Sequence, residues 1–339
     1  MSVSPGTAMP AVVSYQGLPV DDDRSLVEAE LPVPELRPHD LLVRVAAVSV
    51  NPVDVKRRAG LPESTTPTVL GYDAAGVVAA VGPAVTGYRV GDEVYYAGDV
   101  TRPGSNAEYQ AVDERIVGHK PRSLSWAEAA AMPLTTITAW ESLFGRFRLT
   151  GSSEGTLLVL PGAGGVGSIL IQLAKRLTGL TVIATASRSE SRDFARNMGA
   201  DHVVDHHGDL ATEVLAIAPG GTDYIFSAHS ASTVPAFVAV AKPFSEITAI
   251  DDATGVELQQ LKPKSLTWHW ELMFTRSTFG TPDLAEQGVL LERAAELFDD
   301  GTLRPTLTTT LEGFTADNLR QAHRLVESGR MTGKVVVVR

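Results

Sequence analysis

The chain contains no cysteine. Disulfides, thiolate catalysis and cysteine-based zinc sites are therefore excluded from the start. Nor is there a run near the roughly 20 apolar residues needed to span a bilayer, so no membrane partner is expected. Basic residues are also in short supply, 29 Lys and Arg against 40 Asp and Glu, for a net charge of −11. That balance argues against nucleic acid or an anionic membrane surface as the main partner. It leaves room for a local basic pocket that takes one anionic cofactor. The stretch Met1 to Pro10 lacks the basic start and apolar core of a signal peptide. Its Ser, Pro and Gly suggest a frayed tail. Together with the missing cysteines, this fits a cytoplasmic protein. Internal repeats and low-complexity segments are absent as well.

What is present is the texture of a globular protein, 44% hydrophobic and 20% charged over 339 residues, enough for about two domains. Residues 11 to about 128 read as short strands: Ala11–Tyr15, Asp40–Ala46, Gly76–Val81 and Glu93–Tyr96. Pro and Gly punctuate them at Pro32, Pro34, Pro38, Gly82, Pro83, Gly87 and Gly91. Frequent turns between short strands predict a compact antiparallel, barrel-like module. From residue 129 the texture changes. Ala129 to Phe144 reads as a helix pair or one broken helix. Strands at Thr156–Leu160, Thr181–Ala186, His202–Val204, Asp223–Ser227, Glu246–Ile250 and Leu266–Leu272 then alternate with helices. Those helices are Ser168–Leu177, Glu190–Met198, Leu210–Ile217 and Thr233–Ala241. Such alternation predicts an α/β fold with a doubly wound parallel sheet. Helices Asp283–Phe298 and Ala316–Ser328 follow, and Gly333–Arg339 reads as a last strand that completes the N-terminal module.

The richest segment is Leu157-Leu-Val-Leu-Pro-Gly-Ala-Gly-Gly-Val-Gly-Ser168. An apolar strand runs into Gly162, Ala163, Gly164, Gly165, Val166 and Gly167, spaced G-x-G-x-x-G, and a helix follows. In this pattern the first Gly makes the tight turn and the second lets backbone approach a pyrophosphate. The third lets helix and strand pack closely. The phosphates rest on the helix N-terminus, where unpaired N–H groups and the helix dipole favour anions. A second strand at the βαβ distance supports a dinucleotide site over an ordinary βα turn.

An acid about 20 residues further on would hold the ribose 2′-OH of NAD. Here that zone is Ala184-Thr-Ala-Ser-Arg-Ser-Glu-Ser-Arg192. Ser187 and the guanidinium groups of Arg188 and Arg192 suit a 2′-phosphate, because Arg makes forked, charge-assisted contacts with it. NADPH is therefore expected over NADH, with ordinary surface charge as the alternative role for the two arginines. Asp201-His-Val-Val-Asp-His-His-Gly-Asp209 looks metal-like but reads as a solvated polar turn.

Several further segments together resemble the medium-chain dehydrogenase/reductase superfamily. They are Ser49-Val-Asn-Pro-Val-Asp54, Val69-Leu-Gly-Tyr-Asp-Ala-Ala-Gly76, Gly104-Ser-Asn-Ala-Glu-Tyr109 and Ala129 to Trp140. The Gly-rich loop, Leu325-Val-Glu-Ser-Gly329 and Trp268-His-Trp-Glu-Leu-Met-Phe-Thr-Arg276 complete the set, the last being the most subfamily-specific. Within the superfamily the chain is similar to the zinc-free quinone oxidoreductase branch and to "zinc-type alcohol dehydrogenase-like" proteins. The resemblance implies a GroES-like β-barrel catalytic domain (residues 1–128 and 277–339) interrupted by a Rossmann NADP-binding domain (129–276). It implies NADPH in an interdomain cleft. It also implies a homodimer formed through the Rossmann edge strand Leu266–Leu272, whose length and apolar character would otherwise be an aggregation hazard.

The same resemblance locates the zinc-ligand positions of alcohol dehydrogenases. Here the cysteine position is Asn51, ahead of Asp54, and the His-Glu pair is Tyr72-Asp73. The zone near Met132-Pro-Leu134 offers no third ligand, and the four-cysteine lobe is missing. Zn²⁺ needs about four N, S or O ligands, so no metal is expected. Without a Lewis acid, simple alcohol oxidation is hard. Hydride delivery to a quinone or an α,β-unsaturated carbonyl remains feasible, because negative charge develops on a distant oxygen. Asn51 and Tyr72 are candidate hydrogen-bond donors to that oxygen, or else a turn organiser and a packed core residue. Arg276 aligns with a cleft arginine that meets a phosphate or substrate, or makes a surface ion pair. Thr136 matches a threonine beside the nicotinamide, and Lys334 matches a Gly-Lys that can reach the cofactor. His229 and Ser230 follow the fourth strand, and Ile250 and Asp251 the fifth. Strand carboxyl ends of this kind bind ligands, although plain surface polarity is the alternative for these residues. The competing functions are a zinc-dependent alcohol dehydrogenase and a non-catalytic NADPH-binding sensor. The physiological acceptor is not legible.

Overall fold

Strand length and burial decide which strands are central. In the computed structural model, which describes residues 6–339, the longest strand is Asp40–Ser49, ten residues of which eight are buried. It carries three neighbours. The elements in chain order are β1 (Ala8–Ser14), β2 (Val27–Pro32), β3 (Asp40–Ser49), helix α1 (Pro52–Ala59), β4 (Thr68–Val69) and β5 (Ala74–Val81). Then come β6 (Glu93–Tyr96), β7 (Tyr109–Asp113), β8 (Val117–His119), α2 (Trp126–Ala130) and α3 (Pro133–Trp140). Because β1 already begins at Ala8, the expected frayed tail is shorter than Met1–Pro10. What remains of that expectation, residues 1–5, lies outside the described residues.

The parallel sheet is built from β9 (Glu154–Leu160), α4 (Gly165–Leu177), β10 (Gly179–Thr185), α5 (Ser189–Asn197) and β11 (His202–Val204). It continues through α6 (Leu210–Ile217), β12 (Thr222–Ser227), α7 (Val234–Val240), β13 (Ala241–Ala249) and β14 (Thr267–Trp270). The chain ends with α8 (Thr275–Phe279), α9 (Glu286–Asp299), β15 (Leu307–Glu312), α10 (Ala316–Glu327) and β16 (Lys334–Val338).

The chain divides into two units, Met1–Ile137 with Phe274–Arg339, and Thr138–Met273. The first holds a three-stranded sheet, β2-β1-β4, and a seven-stranded sheet ordered β15-β16-β3-β5-β6-β8, with β7 also paired to β3. Strand β16 pairs antiparallel with β3, so the chain terminus does complete the N-terminal module. The second unit is a six-stranded sheet ordered β11-β10-β9-β12-β13-β14. All its pairings are parallel, the doubly wound order with its switch point between β9 and β12. Leu158, Ile183, Ile225, Phe237 and Ile247 lie in its buried core. The unit boundaries at 137/138 and 273/274 compare with expected ones at 128/129 and 276/277. Helix α2 belongs with the first unit because it packs on β3 and β5.

The helix pair expected over Ala129 to Phe144 is present, interrupted before Pro133, which has no N–H to continue the first helix, and followed by a π-helical turn, Glu141–Arg146. Two local expectations need correction. Strand β13 starts five residues earlier than Glu246, at Ala241, with an irregularity in its pairing to β12. Phe244 takes a left-handed conformation there, φ 69°. The edge strand β14 is only four residues long, not a long apolar strand over Leu266–Leu272: it pairs with Glu246–Ala249, while the N–H of Leu266 is taken by the carbonyl of Leu261 in the preceding turn.

Candidate functional site

In the second unit the Gly-rich loop joins β9 to α4. Gly164 is the N-cap, in extended conformation, and the helix begins at Gly165 with Val166 in its first turn. Each outer glycine has a steric reason. A Cβ on Gly162 would sit 2.6 Å from the Cβ of Ala184 on β10, and one on Gly167 would sit 2.0 Å from the carbonyl oxygen of Pro161. The first Gly thus serves close approach to the neighbouring strand and needs no left-handed backbone. The middle one, Gly164, has only a 3.4 Å contact with Pro161 and leaves its outer side open. A 13-residue helix with a bare, glycine-lined N-terminus fits a pyrophosphate.

At the end of β10, Ser187 is half-buried and Arg188 is exposed at the N-cap of α5. Glu190 lies in the first turn of that helix, where it complements the helix dipole. Arg192 is used differently from the sequence expectation. Its guanidinium donates to the carbonyls of Ala186, 3.2 Å, and Val203, 3.0 Å, and so fastens the ends of β10 and β11. The expected polar turn at Asp205–Asp209 follows β11, and no metal-holding group of His, Asp or Glu occurs among the described residues.

At the carboxyl ends of β12 and β13, Ser230 donates from its N–H and its hydroxyl to Asp251, at 2.6 and 2.7 Å. The N–H of Ile250 donates to the carbonyl of Ser227, 3.0 Å, and His229 is exposed. Ser230 and Asp251 therefore lock two loop ends together, which tightens this rim of the sheet.

The first unit holds a buried polar cluster. Asp73 lies at the start of the turn into β5, and each of its oxygens is committed. Oδ1 accepts the N–H of Leu134, 2.8 Å. Oδ2 accepts from Asn51 Nδ2, 2.8 Å, and from Lys334 Nζ, 3.0 Å. Lys334 Nζ also donates to Asn51 Oδ1. Lys334, expected at the cofactor, is thus 3% exposed and turned onto Asp73 and Asn51. The Asn51 amide is held on both ends, with only 3.5 Å contacts to the carbonyls of Ser49 and Tyr72 besides. Asp54 caps α1, accepting the N–H groups of Asn51, 2.8 Å, and Gly71, 3.0 Å. Burial pushes its carboxyl up to about 7. Burial also raises Asp73, against the pull of Lys334.

Tyr72 is 1% exposed. Its ring meets Phe274 edge-on at 5.7 Å, and the exposed Arg57 lies over it at 5.6 Å. Burial lifts its hydroxyl to about 12, so it stays protonated at neutral pH. Arg276 pairs with Asp283, 3.0 Å, on the partly exposed face of α8. Thr136 is fully buried, and its hydroxyl has no hydrogen-bond partner. A buried hydroxyl left in that state is uncommon in a native protein.

An alcohol dehydrogenase GroES-like domain model matches residues 37–139, and a zinc-binding dehydrogenase model matches residues 198–337. The chain is 43% identical to a zinc-type alcohol dehydrogenase-like protein of Staphylococcus aureus, over 91% of this chain and 93% of that one. It is 40% identical to the chloroplastic NADPH-dependent alkenal/one oxidoreductase of Arabidopsis thaliana, over 60% of this chain and 53% of that one. A solved structure from Rhizobium etli, provisionally labelled a zinc-dependent alcohol dehydrogenase, is 50% identical with a TM-score of 0.94, covering 98% of each chain. The fold is that of a medium-chain dehydrogenase/reductase oxidoreductase, a GroES-like domain with a Rossmann-like parallel sheet. The chain belongs to that superfamily and, within it, to the zinc-type alcohol dehydrogenase-like proteins.

The donor set at the zinc-ligand positions does not fit the metal that the family label implies. Asn51, Tyr72 and Asp73 supply one carboxylate, and that carboxylate already carries the Lys334 ammonium. A divalent cation there would face a fixed positive charge at contact distance, with no His or Cys to bind it.

Proposed function

We propose that this protein is an NADPH-dependent, zinc-independent oxidoreductase that transfers hydride to a quinone or an α,β-unsaturated carbonyl. The ammonium of Lys334 seated on Asp73 and Asn51 carries the zinc-independent part of the reading. A bound nicotinamide supplies the hydride. The chain's own groups bind it and manage the charge that develops on the acceptor oxygen.

In this reading the loop Gly162–Gly167 takes the pyrophosphate. Ser187 and Arg188 receive the 2′-phosphate, since no acid ends β10. Arg192 supports them by fixing the strand ends. Thr136, Ser230, Ile250 and Asp251 shape the remaining cofactor surface. The two candidate donors take different roles. Asn51 is a positioning residue, because its amide is already held, and protonated Tyr72 is the hydrogen-bond donor to the acceptor oxygen. At 1% exposure, Tyr72 meets that oxygen only when the side chains on its ring, Arg57 and Phe274, part. Similarity to an enzyme named for NADPH and alkenals or enones supports the cofactor and the acceptor class.

We further propose a homodimer through the outer side of β14, where Trp270 and Leu272 are 49% and 59% exposed, and work in the cytoplasm. Light scattering of the purified chain checks the first point, and a monomer at micromolar concentration contradicts it. No helix among the described residues is long and apolar enough to cross a membrane.

The deciding experiment is a turnover screen over small quinones and enones, with NADPH and NADH side by side. Consumption of NADPH by at least one acceptor is expected, with a drop in kcat of roughly 100-fold in Tyr72→Phe, the size seen on removing one oxyanion donor. NADPH that binds and is never consumed supports the sensor reading instead.

A further inference from the structure

Glu271 lies within the most subfamily-specific segment of the sequence, Trp268 to Arg276, yet no step above uses it. It follows β14 directly, and its N–H continues the ladder by donating to the carbonyl of Ala249, 3.0 Å. Its side chain is wholly buried. Oε2 accepts from Arg146 Nε at 2.6 Å, while Oε1 has no hydrogen-bond partner. A buried carboxylate oxygen without a donor is costly and uncommon in a native protein. Arg146 comes from the π-helical turn Glu141–Arg146, an irregularity frequent at functional sites.

Strand order says which donor could reach it. In a doubly wound sheet the dinucleotide lies across the carboxyl ends, with its pyrophosphate at the loop after β9 and its adenosine ribose at the end of β10. The nicotinamide half must then extend the other way, over β12, β13 and β14. Three interstrand spacings separate β9 from β14, about 14 Å. Glu271 therefore stands at the far end of that half, where the carboxamide is, beyond the ribose. The geometry points to Glu271 as a cofactor-binding residue whose Oε1 accepts a hydrogen bond from the carboxamide NH₂ of the nicotinamide, with Arg146 holding the carboxylate in place. This rests on the dinucleotide reading proposed above.

Calorimetric titration of three ligands tests it: NADP⁺, its 3-acetylpyridine analogue, which has a methyl in place of the NH₂, and 2′-phospho-ADP-ribose, which lacks the nicotinamide. Wild type favours NADP⁺ over the analogue by roughly tenfold or more, the worth of a hydrogen bond to a charged group. Glu271→Ala loses that preference and binds 2′-phospho-ADP-ribose as wild type does. Arg146 is 39% exposed and keeps its water when the carboxylate goes. The isosteric Glu271→Gln keeps its oxygen on Arg146 and turns its own NH₂ to the ligand, so the preference shifts toward the acetyl analogue. Unchanged discrimination in both variants, or an equal fall for all three ligands, overturns the inference. Failure of wild type to bind any of the three overturns the dinucleotide reading, and this inference with it.

Discussion

The polar cluster of the first unit and the carboxyl rim of the second are both buried, but their hydrogen bonds balance differently. Around Asp73, one ammonium, one amide and a backbone N–H satisfy the carboxylate, and Asp54 is satisfied by two backbone N–H groups. On the rim, Oε1 of Glu271 and the hydroxyls of Thr185 and Thr248 have no partner. A region complete in itself has no need of a metal. A region with groups left open is where an outside molecule supplies what is missing. Under the proposed function, Asn51 and Asp73 serve structure and positioning, while the unpaired groups of the rim, like the Thr136 hydroxyl in the first unit, are open to the cofactor.

The largest effect that could break this contrast is on the cluster itself. Lys334→Met leaves Asp73 buried without its cation and should cost about 3–5 kcal/mol of stability. Lys334→Met combined with Asp73→Asn should recover more than half, because the uncompensated charge is gone. Urea denaturation of these two variants and of Asp73→Asn alone reads this, and additive losses would deny that the pair acts as a unit. A smaller effect is expected at the loop. Gly167→Ala puts a Cβ against the backbone oxygen of Pro161, with a cost of roughly 1–3 kcal/mol from overpacking. NADPH fluorescence should then show binding weakened by roughly tenfold or more. Unimpaired binding in a folded variant would remove the loop from the site. The smallest effect separates the two arginines. Arg188→Ala should lower the preference for NADPH over NADH by roughly tenfold, as loss of one charge-assisted contact implies. Arg192→Ala should lower thermal stability and leave the preference nearly intact. The opposite pattern would restore Arg192 to the phosphate.

What the sequence revealed follows the range of the interactions. Strands such as Glu93–Tyr96 and His202–Val204 and the helix Leu210–Ile217 appear where their local patterns put them. The Gly-rich loop was legible because spacing, strand and helix lie within a few residues of one another. Lys334 and Asp73 are 261 residues apart, and no local pattern pairs them. Arg192 looked like its neighbour Arg188 in the sequence, yet its place on α5 aims it at β11. Glu271 was visible as a motif residue without a role. Its role depends on which oxygen Arg146 takes and which it leaves, and only packing determines that.

Metal-free hydride transfer is the central claim, and one measurement on one preparation meets it most directly. Zinc content by mass spectrometry is determined before and after chelation, alongside NADPH-dependent reduction of whichever enone or quinone the screen identifies. The account predicts far less than one zinc per chain and the same turnover after chelation. One tightly held zinc per chain, with turnover lost on its removal and restored on its return, would contradict it.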